Sequence, residues 1–430
     1  MKLSEEARHM TLPENAKHMT QTENTKTPVK TVKEAIDLIK DRKWSESKLG
    51  LERITELLIH LGDPQDSFKI IHIAGTNGKG STAVMLSNIL TSAGIKTGLF
   101  TSPYLKDFNE QISIDGINIK DDDLLAAINR VFDEADRMTD HPTEFELIMA
   151  AAMLYFAGSG CDAAVVETGL GGRLDATNAV KSPALTALTP ISMDHMEYLG
   201  NSLDEIAAEK AGIIKRGVPV CSAPQPPTAA SVIAGRCEEM QSKLIISGPD
   251  ALERISQDER GQYFTKTGST TEYYLPLIGR HQLVNASLAI SCIDTLNDMG
   301  CGIKEEAVRD GLAKTYWPGR MELISKDTVP VFIDGAHNVA GIESALATLE
   351  ELYGDKKIIF VFGTLKDKEA GKMQELLQKR SKQIISVTPD SERAAPGKLT
   401  PEDGLAEAKR IAGAGDVICV LGSLYLGMLR

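Results

Sequence analysis

A glycine-rich turn directly after a short apolar strand constrains the fold of this chain more than any other feature. Residues 69–74 (Lys-Ile-Ile-His-Ile-Ala) form a compact run that is typical of a buried parallel strand. The turn at residues 75–81 (Gly-Thr-Asn-Gly-Lys-Gly-Ser) follows at once, and residues 82–93 are helical in character. Because the backbone N–H groups of such a turn and the N-terminus of the next helix point at one place, this order predicts a binding site for phosphates.

The spacing of this turn departs from the common G-x-x-x-x-G-K-[ST] pattern. Gly75 lies only three positions before Gly78, and Gly80 separates Lys79 from Ser81. Lys79 can still reach the terminal phosphates of a nucleotide, and the Ser81 hydroxyl can bind magnesium. An ordinary tight turn is the alternative, but strand, glycines, lysine and hydroxyl together favour ATP. The loop alone does not separate a hydrolase, a kinase, a ligase and a switch.

Strands and helices alternate along the rest of the chain. Apolar strands are predicted at residues 97–100, 163–167, 184–189 and 218–221, with helices between them. This alternation predicts a parallel sheet with helices on both faces. Pro and Gly punctuate the chain near residues 317–320, and the alternation restarts beyond them as a smaller doubly wound α/β unit. No G-x-G-x-x-G occurs there, so a dinucleotide site has no support.

Composition excludes several classes of protein. The 430 residues carry a net charge of −13, which disfavours a nucleic-acid binder. None of the six cysteines forms a C-x-x-C pair, which favours free thiols in a cytoplasmic protein. No apolar run is long enough to span a membrane. The polar residues 1–28 predict a disordered tail and not a secretory signal, which leaves residues 29–314 and 315–430 as the two predicted domains.

Further polar residues follow the predicted strands. Glu167 ends a strand and precedes a glycine run, and His195 follows the next strand, so both lie at the sheet edge where α/β proteins bind ligands. Magnesium prefers oxygen ligands, and a histidine can join them. Arg173 is predicted to pair with an anion or with Asp175. Lys210 lies near the end of a helix, and its plain structural alternative is a solvated cation that suits the helix dipole. The structural alternative for Glu167 is a surface acid at the end of a strand.

A series of motifs extends this pattern over nearly the whole chain. The segments are residues 72–81, 101–105, 108–110, 167–178, 194–195, 209–213, 279–286, 317–322, 334–338 and 422–426. In identity and order they resemble the folylpolyglutamate synthase and dihydrofolate synthase family, within the Mur ligase superfamily. The resemblance implies a P-loop, Mur-ligase-like ATPase domain with a parallel-sheet core, followed by a smaller C-terminal Rossmann-like α/β domain that carries the glutamate-ligase part.

The resemblance implies an ATP-dependent, ADP-forming ligase of one-carbon metabolism. Such an enzyme adds L-glutamate to the γ-carboxylate of a reduced folate through an acyl phosphate, and some bacterial members also join glutamate to dihydropteroate. The implied partners are therefore ATP, L-glutamate and folate or dihydropteroate, with one or two Mg²⁺ ions and neither nucleic acid nor membrane. The family also implies a monomer.

Roles for individual residues follow from the same resemblance. The implied ATP contacts are Gly75, Thr76, Asn77, Gly78, Lys79, Gly80, Ser81, Asn285, Arg320 and Asp334. The implied metal ligands are Ser81, Glu167, His195 and, if it is carbamylated, Lys210. The implied folate contacts are Thr101, Ser102, Pro103, Tyr104 and Phe108, and the implied glutamate contacts are His337, Ser423 and Tyr425. The implied catalytic residues are Lys79, Lys210, Asp334 and His337.

Some positions leave other interpretations open. Tyr104 stands where many members carry His, and Gln111 where many carry Arg; both lie in the predicted folate-covering loop. These departures keep open a Mur-type amide ligase for a different acid. A catalytically silent nucleotide-binding regulator is the third hypothesis, against which the intact Lys79 and Lys210 argue. Asp334 has a structural alternative as the N-cap of the helix that follows it.

Overall fold

The computed structural model describes residues 29–41, 49–248 and 251–429. The predicted disordered tail at residues 1–28 lies outside this part of the chain. The described residues form one sheet of eight strands, one of three and one of five. No helix among them is long and apolar enough to cross a membrane.

The eight-stranded sheet has the phosphate-loop strand near its centre. Its strands are β1 (Lys69–Ala74), β2 (Thr97–Phe100), β3 (Ile112–Ile114), β4 (Ile117–Asn118), β5 (Ala163–Glu167), β6 (Leu185–Leu188), β7 (Val220–Ser222) and β8 (Leu244–Ile246). They run in the order β4-β3-β2-β5-β1-β6-β7-β8. Strand β1 pairs in parallel with β5 and β6, which confirms the predicted parallel-sheet core. The antiparallel strands β3 and β4 at one edge were not predicted.

Helices cover both faces of this sheet. They are α1 (Val32–Asp41), α2 (Glu52–His60), α3 (Lys79–Ser92), α4 (Asp121–Ala135), α5 (Glu144–Gly158), α6 (Met196–Leu199), α7 (Leu203–Ala211), α8 (Pro227–Glu239), α9 (Arg280–Asp298) and α10 (Glu305–Ala313). Side chains alternate along a strand, so neighbours enter different cores. Val166 lies in the core with α1, α2, α4 and α5, whereas Val165 lies in the core with α3, α9 and α10.

A small antiparallel sheet interrupts the alternation of strands and helices. Its strands are β9 (Leu252–Gln257), β10 (Gln262–Lys266) and β11 (Glu272–Leu275), in the order β11-β10-β9. Phe264 and Tyr273 stack across it with ring centroids 5.2 Å apart. The sequence prediction missed this sheet, because its strands are half-exposed and lack the continuous apolar runs of the parallel strands.

The C-terminal sheet forms the predicted smaller α/β unit. Its strands are β12 (Glu322–Ser325), β13 (Val331–Ile333), β14 (Ile358–Phe362), β15 (Ser381–Ser386) and β16 (Val417–Leu421), and its helices are α11 (Val339–Tyr353), α12 (Ala370–Arg380) and α13 (Pro401–Ile411). The strand order is β12-β13-β16-β14-β15, parallel except for β12. The domain boundary at residue 315 stays a prediction.

Gly311 of α10 lies directly on α3, and we expect Gly311→Ala to destabilise the protein. A methyl group there would collide with the backbone of Ile89. Overpacking costs about 1–3 kcal/mol, more than the roughly 0.5–1 kcal/mol that alanine gains over glycine in a helix. Gly235 of α8 is the matched control, because a methyl group there meets nothing within 4 Å. Urea unfolding should rank Gly235→Ala as the more stable variant; the reverse order would contradict the close packing.

Candidate active site

The phosphate loop needs glycine at two positions for steric reasons. Gly75 and Gly78 have φ angles of 151° and 89°, in the region that favours glycine. A side chain at Gly75 would collide with Thr189, and one at Gly78 with Asn285 of α9. Helix α3 begins at Lys79, three residues earlier than predicted, so Lys79 and Ser81 lie in its first turn, where backbone N–H groups are free for an anion.

Lys79 and Glu167 face each other at the carboxyl end of the sheet. Lys79 Nζ lies 4.0 Å from Glu167 Oε1 and donates a hydrogen bond to the Thr76 carbonyl at 3.2 Å. Burial raises the pKa of Glu167 to about 7, although the charge of Lys79 acts in the opposite direction. The surface-acid alternative for Glu167 is therefore wrong, because its carboxyl is buried beside the lysine of the loop.

Two buried oxygen atoms at this edge fit a magnesium ion. Ser81 Oγ and Glu167 Oε2 are shielded from solvent and have no hydrogen-bond partner among the described residues. Both are oxygen donors of the kind that magnesium prefers. The part of the chain that the structure describes holds no group of three or more His, Cys, Asp or Glu side chains arranged for a metal. A metal here would therefore depend on the serine hydroxyl as well as on Glu167 and His195.

Lys210 is not the solvated helix-end cation of the plain alternative. It is buried in α7, and its Nζ donates to the Gly75 carbonyl at 2.8 Å. Burial, with the nearby charge of Lys79, lowers the pKa of Lys210 to about 7. An amine with this pKa is substantially neutral at physiological pH, which is the state that reacts with carbon dioxide.

Asp194 joins the two halves of the molecule. Its Oδ1 lies 2.6 Å from Lys368 Nζ, and its Oδ2 accepts from Asn338 Nδ2 at 3.0 Å and lies 3.5 Å from His337 Nε2. Burial opposes ionisation, but the hydrogen bond and charge of His337, with His195 and Lys368, hold the pKa of Asp194 well below its usual range. The loop after β6 is thereby fixed to the loops after β13 and β14.

His195 follows Asp194 in a left-handed backbone conformation, with φ 50°. Its Nε2 lies 3.9 Å from Asp194 Oδ2. Burial lowers the pKa of His195 to about 4, and the charges of Lys368, His337 and Lys79 act in the same direction while that of Asp194 opposes them. The imidazole is therefore neutral near pH 7, as a metal ligand must be.

The structural alternative for Asp334, that it caps the helix that follows it, is wrong. Asp334 accepts hydrogen bonds from the backbone N–H groups of Met321, at 2.7 Å, and Ala336, at 2.8 Å. Asn338 is the residue that caps α11, because its Oδ1 accepts from the Gly341 N–H at 2.8 Å. Asp334 therefore ties residues 314–321, the connector between the N-terminal and C-terminal halves, to residues 334–338, the His337 turn. The charge of Asp334 also acts on Arg320.

The connector also touches the phosphate loop directly. A methyl group on Gly80 would come within 2.8 Å of the Trp317 indole ring. The Trp317 Nε1 is buried with no partner among the described residues. The sequence motifs included Trp317 without giving it a role, and only packing reveals its position.

The predicted folate-covering loop reaches the same cleft. The backbone N–H of Ser102 lies near enough to the Glu167 carboxyl to lower its pKa, against the effect of burial. Tyr104 and Phe108 lie with ring centroids 5.5 Å apart, so the aromatic pair is present without the usual histidine. Gln111 is buried, and its Nε2 donates to the Phe108 carbonyl at 3.4 Å.

The predicted glutamate contacts Ser423 and Tyr425 come directly after Gly422, whose N–H donates to the Ala336 carbonyl, next to His337, at 2.8 Å. Ser423 and Tyr425 follow β16, and the Tyr425 N–H donates to Ser423 Oγ at 3.3 Å, so the hydroxyl stabilises a turn. Arg173 was predicted to pair with an anion or with Asp175; the structure pairs it with the carboxylate of Glu209, at 2.7 Å, in place of Asp175. The sequence analysis did not predict Lys368 as a site residue. Its position shortly after a buried strand is nevertheless typical of side chains at the ligand-binding edge of a sheet.

Comparison with known proteins defines the class of this fold and site. Residues 73–293 match the Mur ligase middle domain, and residues 319–424 match the glutamate ligase domain of Mur ligases. FolC of E. coli, solved in complex with DHPP and ADP, superimposes with a TM-score of 0.84 at 27% identity, over 94% of this chain and 98% of that chain. The molecule is therefore an α/β ligase of the Mur type.

Curated relatives narrow the class. The dihydrofolate synthase/folylpolyglutamate synthase of Bacillus subtilis is 36% identical over 417 residues, which cover 89% of this chain and 96% of the relative. The folylpolyglutamate synthase of Lacticaseibacillus casei is 35% identical over 398 residues, 87% of this chain and 92% of the relative. The chain belongs to the folylpolyglutamate synthase/dihydrofolate synthase family. The predicted family, fold and class of enzyme, an ATP-dependent ligase, are confirmed.

Proposed function

We propose that this chain joins L-glutamate to the γ-carboxylate of a reduced folate through an acyl phosphate, with ADP as a product. The observation that carries the proposal is the buried pair of unpartnered oxygens, Ser81 Oγ and Glu167 Oε2, beside Lys79. A folate carboxylate that attacks ATP meets a polyanion, so the barrier falls only where positive charge is fixed at the phosphates. Lys79 and the N-terminus of α3 supply such charge.

The reaction proceeds in two displacements. A folate γ-carboxylate oxygen attacks the γ-phosphorus of ATP, and ADP leaves with the electron pair of the broken bond. The amine of glutamate then attacks the acyl carbon, inorganic phosphate leaves, and the amine loses a proton. Lys79, Arg320 and Asn285 would hold the nucleotide, and the His337 turn would face the incoming glutamate.

Ser81, Glu167 and His195 would hold a magnesium ion, with a carbamate on Lys210 as the ligand of a second. When bound, magnesium supplies charge that neutralises the phosphates. The Lys210 amine has the burial and the lowered pKa that carbamate formation needs. Carbamylation, the number of metal ions, the monomeric state and the cytoplasmic location all stay predictions.

The substrate test compares two acids in one assay. We expect ADP release that requires both tetrahydrofolate and L-glutamate, because an acyl phosphate forms only when the folate carboxylate is present. A dihydropteroate arm decides the second activity, which the bifunctional name of the Bacillus subtilis relative supports. If neither tetrahydrofolate nor dihydropteroate supported turnover in a folded sample, the proposal would be contradicted. That result would favour a ligase for another acid. Nucleotide binding without ligation of any acid would favour the silent regulator.

A further inference from the structure

Among the described residues, the ion pair of Asp194 and Lys368 has both side chains shielded from solvent, as does that of Arg53 and Glu146, but Asp194 and Lys368 lie at the cleft between the two halves. Their side chains are only 7% and 5% exposed. A surface ion pair contributes little, but removing one partner of a buried pair strands the other charge away from water, which costs far more.

We propose that Lys368 is a positioning residue for ligation, which acts through Asp194 to hold the His337 turn over the phosphate loop. This inference rests on the proposed function for its kinetic consequence. Lys368 lies shortly after β14 in the C-terminal half, and Asp194 shortly after β6 in the other half. The pair therefore spans the cleft that the two substrates must share.

The surroundings of the pair connect it to the reacting end of the site. Asn338 donates to Asp194 and also exchanges two hydrogen bonds with Asn77 of the phosphate loop, at 3.0 and 3.2 Å. The backbone N–H of His195 donates to Asp194 Oδ1 at 2.8 Å, on the oxygen that also binds Lys368. Loss of Lys368 would thus loosen His195 and Asn338 together, on opposite walls of the cleft.

The two halves have a second connection, which separates positioning from folding. Glu351 of α11 pairs with Arg254 of β9 at 2.7 Å and with Arg280 of α9 at 2.6 Å. These contacts remain in a Lys368 variant. Such a variant should keep both halves folded and joined, and lose only the alignment across the cleft.

The test compares Lys368→Met with Lys366→Met. Lys366 lies two residues away, is exposed and donates to the Glu392 carbonyl within the same half, so it controls for loss of a lysine from this loop. We expect Lys368→Met to lower kcat/KM for glutamate by roughly 30-fold, because Asp194 keeps its hydrogen bonds from Asn338 and His195 but loses the lysine charge at 2.6 Å. Lys366→Met should stay within about twofold of wild type. Lys368→Arg, which keeps the charge, should recover part of the loss.

Two further measurements separate alignment from a damaged fold. The dissociation constant of ADP should change much less than kcat/KM in Lys368→Met, because Lys79 and the loop glycines are untouched. Amide hydrogen exchange should rise at residues 192–199 and 334–341 and not in the cores.

Wild-type kinetics in Lys368→Met, or an equal loss in Lys366→Met, would overturn the proposal. If wild-type protein ligated no folate, the proposed function would fail, while unchanged exchange in Lys368→Met would still overturn the role of Lys368.

Discussion

Lys210→Ala is expected to reduce ligation by up to about 100-fold, because loss of a group that supports a metal site typically costs roughly 10- to 100-fold in activity. The buried amine of Lys210, held on the Gly75 carbonyl, has a pKa lowered to about 7 by burial and by Lys79. It is about half neutral at pH 7, whereas an ordinary lysine is almost fully protonated there. Carbamate formation therefore falls as pH drops below about 7, and activity should fall with it, most steeply in buffers depleted of bicarbonate.

Short carboxylic acids should restore part of the activity of Lys210→Ala, because acetate or formate can occupy the space of the lost carbamate. Incorporation of labelled bicarbonate, followed by carbon NMR, gives a readout that needs no turnover. Lys215→Ala is the matched control, since Lys215 donates to the Asn178 carbonyl at 3.1 Å and has no predicted role. Full activity of Lys210→Ala without rescue would refute the role.

Lys79→Met is expected to lower kcat by about 1,000-fold, the usual effect of removing a fixed charge from a transition state. Lys79 has a second effect, on its neighbour Glu167 at 4.0 Å. Burial has already raised the pKa of Glu167 to about 7, and Lys79 is the largest of the charges that oppose this rise. Without Lys79 the pKa of Glu167 should rise further, and the carboxyl should be protonated at neutral pH.

The residual activity of Lys79→Met should consequently increase from pH 7 to pH 9 as Glu167 ionises. Lys79→Arg, which keeps a cation at this position, should show a smaller loss and less dependence on pH. Initial rates of ADP release across this range measure both effects. A Lys79→Met enzyme with more than a tenth of wild-type kcat would show that the loop lysine does not contact the phosphates.

Features with a local chemical cause could be predicted from the sequence. The strand before Gly75, the glycine turn and the helix after it each leave a pattern in neighbouring residues, so the phosphate loop was predictable apart from the first turn of α3. Glu167 and His195 were predictable because parallel strands bring their carboxyl ends to one edge.

Features that depend on distant residues could not be predicted in the same way. No local pattern indicates that Lys368 would form an ion pair with Asp194. Nor does one indicate that Asn338, and not Asp334, would cap α11. The low pKa of Lys210 is likewise a product of burial by several elements, whereas the sequence around it suits a solvated helix end. The small sheet of β9 to β11 was not predicted, because its strands bury few side chains and therefore lack an apolar pattern.

The contact of Trp317 with Gly80 has a consequence for how such ligases diversify. The chain passes from one half to the other through residues 314–321, and within that passage an indole ring fills the space that a side chain at Gly80 would need. Exchange of either half should therefore preserve this contact. A C-terminal half taken from another ligase would have to be joined after this connecting segment, so that the loop with Gly80 and the segment with Trp317 are inherited together.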